Sequence, residues 1–263
     1  MWRAYFLIFR IITACWGIPL LLFLIYAGNF WLILLLSVLI LFSTYEFSVM
    51  MKNKNYKMPL VTYLVSFIIF FGNIFGFLSF SIFLSMLLFF ITSIIFFNKY
   101  SFFDLSLSFA TSFFISFSLS FFYLIRSLDK GFFWSFALMT SLWLGDSMAY
   151  VVGKNFGKHR LSSVSPKKTW EGALASMIFG IVPFLLFSTL LQKPFYSLLL
   201  VGFVVNIISQ ISDLSESLIK RAFDCKDSGS FLPGHGGFFD RFDSLFFSSP
   251  VLYFMIFYLE KIK

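Results

Sequence analysis

Residues 60–97 contain no Asp, Glu, Lys or Arg. Such a run is too apolar for a water-exposed helix, and it is long enough for two membrane passes of about 20 residues each. Similar runs recur along the chain. Only 12% of the 263 residues are charged, about half the roughly 25% of an ordinary soluble domain. No water-soluble core absorbs so many stretches of near-spanning length. The chain is therefore read as an all-α, polytopic integral membrane protein.

Cutting at charges, prolines and Gly/Asn turns predicts about nine transmembrane helices, near 6–26, 30–51, 60–78, 81–97, 102–124, 132–153, 172–191, 196–219 and 242–260. The charge-free run is divided by a short turn near Phe77–Ser81. Arg3 and Arg10 precede the first apolar stretch without a small-residue cleavage pattern, so it reads as a retained helix. With the N-terminus cytoplasmic, the inner segments hold fifteen of the twenty Lys and Arg; Arg126, Lys130, Lys193, Lys261 and Lys263 fall outside. This positive-inside bias supports the count and puts loops 154–171 and 220–241 in the cytoplasm. The expected location is the cell (inner) membrane, with the active site facing the cytoplasm. The net charge of +8 then suits anionic headgroups and anionic substrates, and no nucleic acid is expected.

Composition divides the chain in two. Residues 1–131 read as a hydrophobic helical scaffold, with acids only at Glu46, Asp104 and Asp129. Residues 132–263 hold every dense polar constellation and read as the catalytic membrane region. Six of the twelve acids (Asp213, Glu216, Asp224, Asp227, Asp240 and Asp243) fall within 213–244, beside Lys220, Arg221, Lys226, Arg241 and His235. Charges are costly near a bilayer, which makes this cluster a candidate functional site. Asp146 is a further buried acid, expected to face a cavity or a partner.

Spacing adds detail. Asp213, Glu216, Ser217 and Lys220 share one helix face. Asp240 and Asp243, three apart, can share a face of the following helix. Carboxylates facing one another from two helices form a hard-oxygen site suited to Mg²⁺. The glycine-rich Pro233-Gly234-His235-Gly236-Gly237 turn can bring backbone amides close to an anion. Upstream, Ser165-Pro166-Lys167-Lys168 combines counter-charge with a proline that can open a helix, whose first amides suit phosphate oxygens. A metal site, a cationic clamp and a glycine turn are the parts needed for phosphoryl or nucleotidyl transfer.

The order Ser217-x2-Lys220-Arg221-x4-Lys226-Asp227-x-Gly229-x3-Pro233-Gly234-His235-Gly236-Gly237-x2-Asp240-Arg241-x-Asp243-Ser244 resembles the signature of the phosphatidate cytidylyltransferases, the CDP-diacylglycerol synthases. Ser165-Pro166-Lys167-Lys168-Thr169-Trp170-Glu171-Gly172 and Asp146 match that family too, over about residues 130–263. One departure is Ser212, where the family often has Gly.

The resemblance implies that CTP and phosphatidate give CDP-diacylglycerol and pyrophosphate in phospholipid biosynthesis, with Mg²⁺ required. It implies that Asp213 and Asp240 hold the metal centre, with K⁺ a candidate second ion. It implies phosphate contacts from Lys220, Arg221, Lys226, Arg241, Lys167 and Lys168, and a cradle from Gly234, Gly236 and Gly237. Asp146, Ser165 and Ser217 join the substrate-binding set. Asp227 and Asp243 orient cations or metal-bound waters, and His235 acts as an acid or as a hydrogen-bond donor. The partners are CTP, phosphatidate and membrane lipid, and a homodimer is compatible with the sequence. A CTP-dependent polyprenol or phytol kinase is the neighbouring enzyme class. The motif of the CDP-alcohol phosphotransferases is absent. A cation-coupled transporter would call for mid-bilayer charges and internal repeats, and no convincing repeat is present.

Overall fold

The structure is a computed structural model. It describes residues 2–229, 231 and 236–261, with side chains from residue 15 onward. In order, the helices are α1 (Trp2–Ala27), α2 (Asn29–Lys52), α3 (Val61–Ile74), α4 (Leu78–Ile95), α5 (Phe102–Ser127), α6 (Gly131–Phe156), α7 (Trp170–Leu186), α8 (Ser188–Leu191), α9 (Phe195–Ala222) and α10 (Asp243–Lys261). A short 3₁₀ turn covers Phe239–Arg241. No strand occurs among the described residues. The protein is all-helical and polytopic: α2, α4, α5 and α9 are long and apolar enough to cross a membrane, and α3 and α7 are shorter apolar helices.

Two compact units form, Met1–Tyr123 with Lys220–Phe242, and Leu124–Ile219 with Asp243–Lys263. In the first, Val65, Ile69, Phe89 and Leu105 make a buried cluster covered by Phe109, Phe113 and Phe117. The charge-free run breaks at Phe75–Phe77, slightly earlier than the expected turn at Phe77–Ser81. The reason is Gly76, whose φ of 80° ends α3 in the left-handed region, where glycine has no Cβ penalty. The Phe77 amide then donates to the Gly72 carbonyl.

Serines let helices approach closely within lipid. On α5, Ser108, Ser112, Ser116 and Ser120 recur every four residues and are buried. Ser112 donates to the Thr62 carbonyl at 3.1 Å, and Asn73 donates to Ser120 Oγ at 2.6 Å. Asp104 is accounted for by a reciprocal cap at the start of α5. Its carboxylate accepts from the Ser101 and Lys57 amides, while Ser101 Oγ accepts from the Asp104 amide, the capping-box arrangement.

In the second unit α6 and α7 pack along their length. Gly180 is where α7 meets α9: a Cβ there would lie 1.9 Å from Asn206 Oδ1. Asn206 is fully buried and donates to Ser141 Oγ at 3.0 Å and to the Gly202 carbonyl at 2.8 Å, while Ser141 donates to the Gly180 carbonyl at 2.6 Å. This polar seam ties α6, α7 and α9 together and fixes the walls of the cavity described next.

Candidate active site

A cavity of about 550 Å³ opens in the second unit, within the usual range for small-molecule sites. It is lined by Asp146 and Tyr150 of α6, by Ser165, Lys167 and Lys168 of the connecting loop, and by Gln210 and Asp213 of α9, among others. Five residues selected from the sequence (Asp146, Ser165, Lys167, Lys168 and Asp213) thus converge on one hollow.

The loop reaches the cavity because it is a closed hairpin. Leu161 donates to the Lys168 carbonyl at 2.9 Å and Trp170 to the His159 carbonyl at 3.0 Å. Pro166 does not open a helix, contrary to the sequence expectation. It lies inside a turn closed by the Lys168 amide on the Ser165 carbonyl at 3.0 Å, at the position where its fixed φ is favoured. The antiparallel bridge between Arg160 and Thr169 keeps the chain extended to Thr169. Only then does α7 begin, with Thr169 Oγ1 accepting from the Gly172 amide at 3.2 Å, an N-cap.

Asp213 and Glu216 of α9 and Asp243 at the start of α10 each offer a carboxylate oxygen within 4.8 Å of the others. Three acids this close suit a cation, and an all-oxygen donor set fits Mg²⁺ rather than a thiophilic metal. Lys168 forms an ion pair with Asp213. Ser212, the departure from the family pattern, has a definite task here. Its hydroxyl donates to the Asp243 carbonyl and accepts from the Phe247 amide, pinning the first turn of α10 to α9.

Asp240 belongs to the first unit. Its carboxylate accepts from Lys220 Nζ at 2.9 Å, the Ser228 amide at 3.0 Å and the Gly237 amide at 2.9 Å. It is 6% exposed and Lys220 is 14% exposed. Gly236 has φ 82°, which bends the chain so that the next amide meets Asp240. Gly234 and His235 lie outside the described residues. Ser217 is half-buried on α9, whereas Arg221, Lys226, Asp227 and Arg241 are exposed. Arg221 donates to the Cys225 carbonyl at 3.1 Å, and Asp224 pairs with Lys54.

The Cytidylyltransferase family model matches residues 8–259. The chain belongs to the cytidylyltransferase family. Among curated relatives, a phosphatidate cytidylyltransferase of Bacillus subtilis is 44% identical over 118 residues, covering 44% of this chain and 44% of the relative. One of Synechocystis is 41% identical over 117 residues, covering 44% of this chain and 40% of the relative. A chloroplastic phosphatidate cytidylyltransferase of Arabidopsis thaliana is 43% identical over 113 residues, covering 42% of this chain and 29% of the relative. The chain thus spans less than half the length of the curated relatives it matches.

Two acids of this cytidylyltransferase-family chain carry more than the sequence reading gave them. Glu216 joins the carboxylate cluster, although its helical spacing from Asp213 had placed it only on the same face. Glu46, grouped with the scaffold, is 1% exposed and accepts hydrogen bonds from Ser228, Phe238 and Phe239. The signal for Glu46 was available: an acid inside an apolar span is unusual enough to single out, as Asp146 was.

Proposed function

We propose that this protein transfers the cytidylyl group of CTP to phosphatidate, releasing pyrophosphate and forming CDP-diacylglycerol at the cytoplasmic face of the cell membrane. The observation that carries the reading is the second unit's cavity, lined by Lys154, Lys167 and Lys168 and by Asp146 and Asp213, the latter a member of the three-carboxylate cluster. Family membership and the long motif from Ser217 to Ser244 support it.

In this reaction a phosphatidate phosphate oxygen forms a bond to the α-phosphorus of CTP. The bond from that phosphorus to the oxygen bridging toward the β-phosphorus breaks, and pyrophosphate leaves with the electron pair. The attacking oxygen belongs to a phosphomonoester already ionised near neutral pH, with a second pKa of about 6, so no protein base is needed. The protein must hold two anions together and order them. Lys167 and Lys168 supply counter-charge at the cavity. Lys220, Arg221, Lys226 and Arg241 are further phosphate partners by family resemblance. Asp213, Glu216 and Asp243 would hold Mg²⁺, which when bound neutralises phosphate charge and stabilises the leaving group. Ser212 and the α7 cap keep those ligands and the lysine hairpin in place, so little reorganisation is left for the reaction itself.

The test is purified protein with CTP, Mg²⁺ and phosphatidate. Pyrophosphate release with α-label in the lipid is expected. Appearance of γ-label in the lipid instead would make the protein a CTP-dependent lipid kinase.

Lys226 is exposed beside Asp227, where it can touch phosphate without being locked into the fold. Lys226→Ala is expected to raise KM for CTP or phosphatidate with kcat nearly unchanged, the pattern of lost uniform binding. Steady-state kinetics with both substrates check this, and an unaltered KM for each would remove Lys226 from the phosphate set.

A further inference from the structure

Glu46 lies on α2, six residues before the helix ends at Lys52, or ~9 Å inside at 1.5 Å per residue. Its neighbours on the helix include buried Phe47 and Met50. A carboxylate in such a place is costly unless its oxygens accept hydrogen bonds. Its donors come from one distant loop: Ser228 Oγ at 2.8 Å, the Phe238 amide at 2.8 Å and the Phe239 amide at 2.9 Å. Three donors match a group that offers only acceptors. Buried backbone amides such as that of Phe239 also need partners.

The loop is shaped around this carboxylate. A Cβ on Gly229 would come within 2.8 Å of Glu46 Oε1, and one on Gly237 within 2.3 Å of Oε2 and 2.2 Å of Ser228 Oγ. Two motif glycines therefore make room for Glu46, whatever else they do. Phe42, on the same helix, stacks on Phe238 with ring centres 4.8 Å apart, and Phe47 meets Phe239 edge-on at 6.1 Å. The segment Glu46 grips is also the one Asp240 grips. Ser228 gives its hydroxyl to Glu46 and its amide to Asp240, while Gly237 donates to Asp240 and the next two amides donate to Glu46.

We infer that Glu46 is a positioning residue for the transfer reaction: from within α2 it holds Ser228, Phe238 and Phe239, and so fixes Asp240, its partner Lys220 and the adjoining Arg241. The inference rests on the cytidylyltransferase reading for its catalytic consequence. The N-terminal helices then form part of the machinery rather than a passive scaffold.

The test uses the full chain in detergent. Glu46→Gln keeps the shape but turns an NH₂ toward one of the donors. Amide hydrogen exchange across residues 236–242 is expected to quicken while exchange in α6 and α7 stays as in wild type. The expected fall in kcat is roughly 10–100-fold, the usual effect of losing a residue that orients a ligand-bearing group. Ser228→Ala removes the hydroxyl that Glu46 holds. The double variant is expected to lose no more than Glu46→Gln alone, because both act through one contact. If Glu46→Gln does not fold, Ser228→Ala is read alone by the same two measurements. Unchanged exchange, quickened exchange with wild-type kcat, or fully additive losses would each overturn the inference. Absence of CDP-diacylglycerol formation by wild type would instead overturn the cytidylyltransferase reading, and exchange would then decide the clamp by itself.

Discussion

Asp213→Asn is expected to lower cytidylyl transfer by on the order of 10³-fold, corresponding to several kcal/mol of lost charge stabilisation. The size follows from the position of the side chain. Asp213 lines the cavity, belongs to the three-carboxylate group with Glu216 and Asp243, and pairs with Lys168. The amide is nearly isosteric, so α9 keeps its packing, but one carboxylate of the proposed Mg²⁺ site becomes neutral and Lys168 loses the charge with which it pairs. Two changes are therefore expected together: kcat collapses, and the Mg²⁺ concentration needed for the residual rate rises. Turnover with α-labelled CTP across a Mg²⁺ titration, at matched levels of inserted protein, measures both. Wild-type turnover in the variant would remove Asp213 from the active site.

The membrane architecture was legible because it follows from desolvation. Nine helices of 14 residues or more occur among the described residues, and each overlaps one of the nine spans drawn from apolar runs. The differences sit at helix ends, for a physical reason. Hydropathy marks where lipid would stop, whereas backbone hydrogen bonding continues into polar sequence. Thus α6 runs through Lys154 to Phe156 and α9 runs through Lys220 and Arg221 to Ala222, where basic side chains complement the negative end of the helix dipole. At the other extreme, α7 stops at Leu186 and a separate turn covers Ser188–Leu191, although the apolar run continues without a charge.

The site was legible only in part. Helical spacing put Asp213 and Glu216 on one face, and motif order singled out Lys167, Lys168 and Asp240. Spacing cannot say which neighbour a face meets. The association of Asp213 with Lys168, of Asp240 with Lys220 and of Glu46 with Ser228 is tertiary, the last joining residues 182 positions apart. A single sequence holds no term for such contacts beyond the cost of a buried charge. That cost singled out Asp146, which lines the cavity but is exposed there rather than buried as expected; it applies better to Glu46, which is 1% exposed.

Asp240 is where two roles can be separated by experiment. The family resemblance makes it a metal-facing carboxylate, while in the first unit its oxygens hold Lys220 and two loop amides. Asp240→Ala removes all of these contacts and breaks a buried ion pair, a change that typically costs about 3–5 kcal/mol. The expected result is a lower melting temperature, fast exchange at Ser228 and Gly237, and no turnover. Asp240→Asn is the more telling variant. Its remaining oxygen can still accept from the Ser228 and Gly237 amides if its NH₂ points toward Lys220, so the loop is expected to stay protected while the ion pair is lost. Turnover should nonetheless fall at least 100-fold, or about 2.7 kcal/mol at 1.36 kcal/mol per tenfold, if Asp240 has the metal-facing role that the family resemblance implies. Protected exchange with abolished turnover assigns Asp240 a part beyond holding the loop, in the chemistry itself or through the charge of Lys220. Protected exchange with wild-type turnover would reduce it to a loop-holding residue, and the Asp213, Glu216 and Asp243 carboxylates would then carry the metal without it.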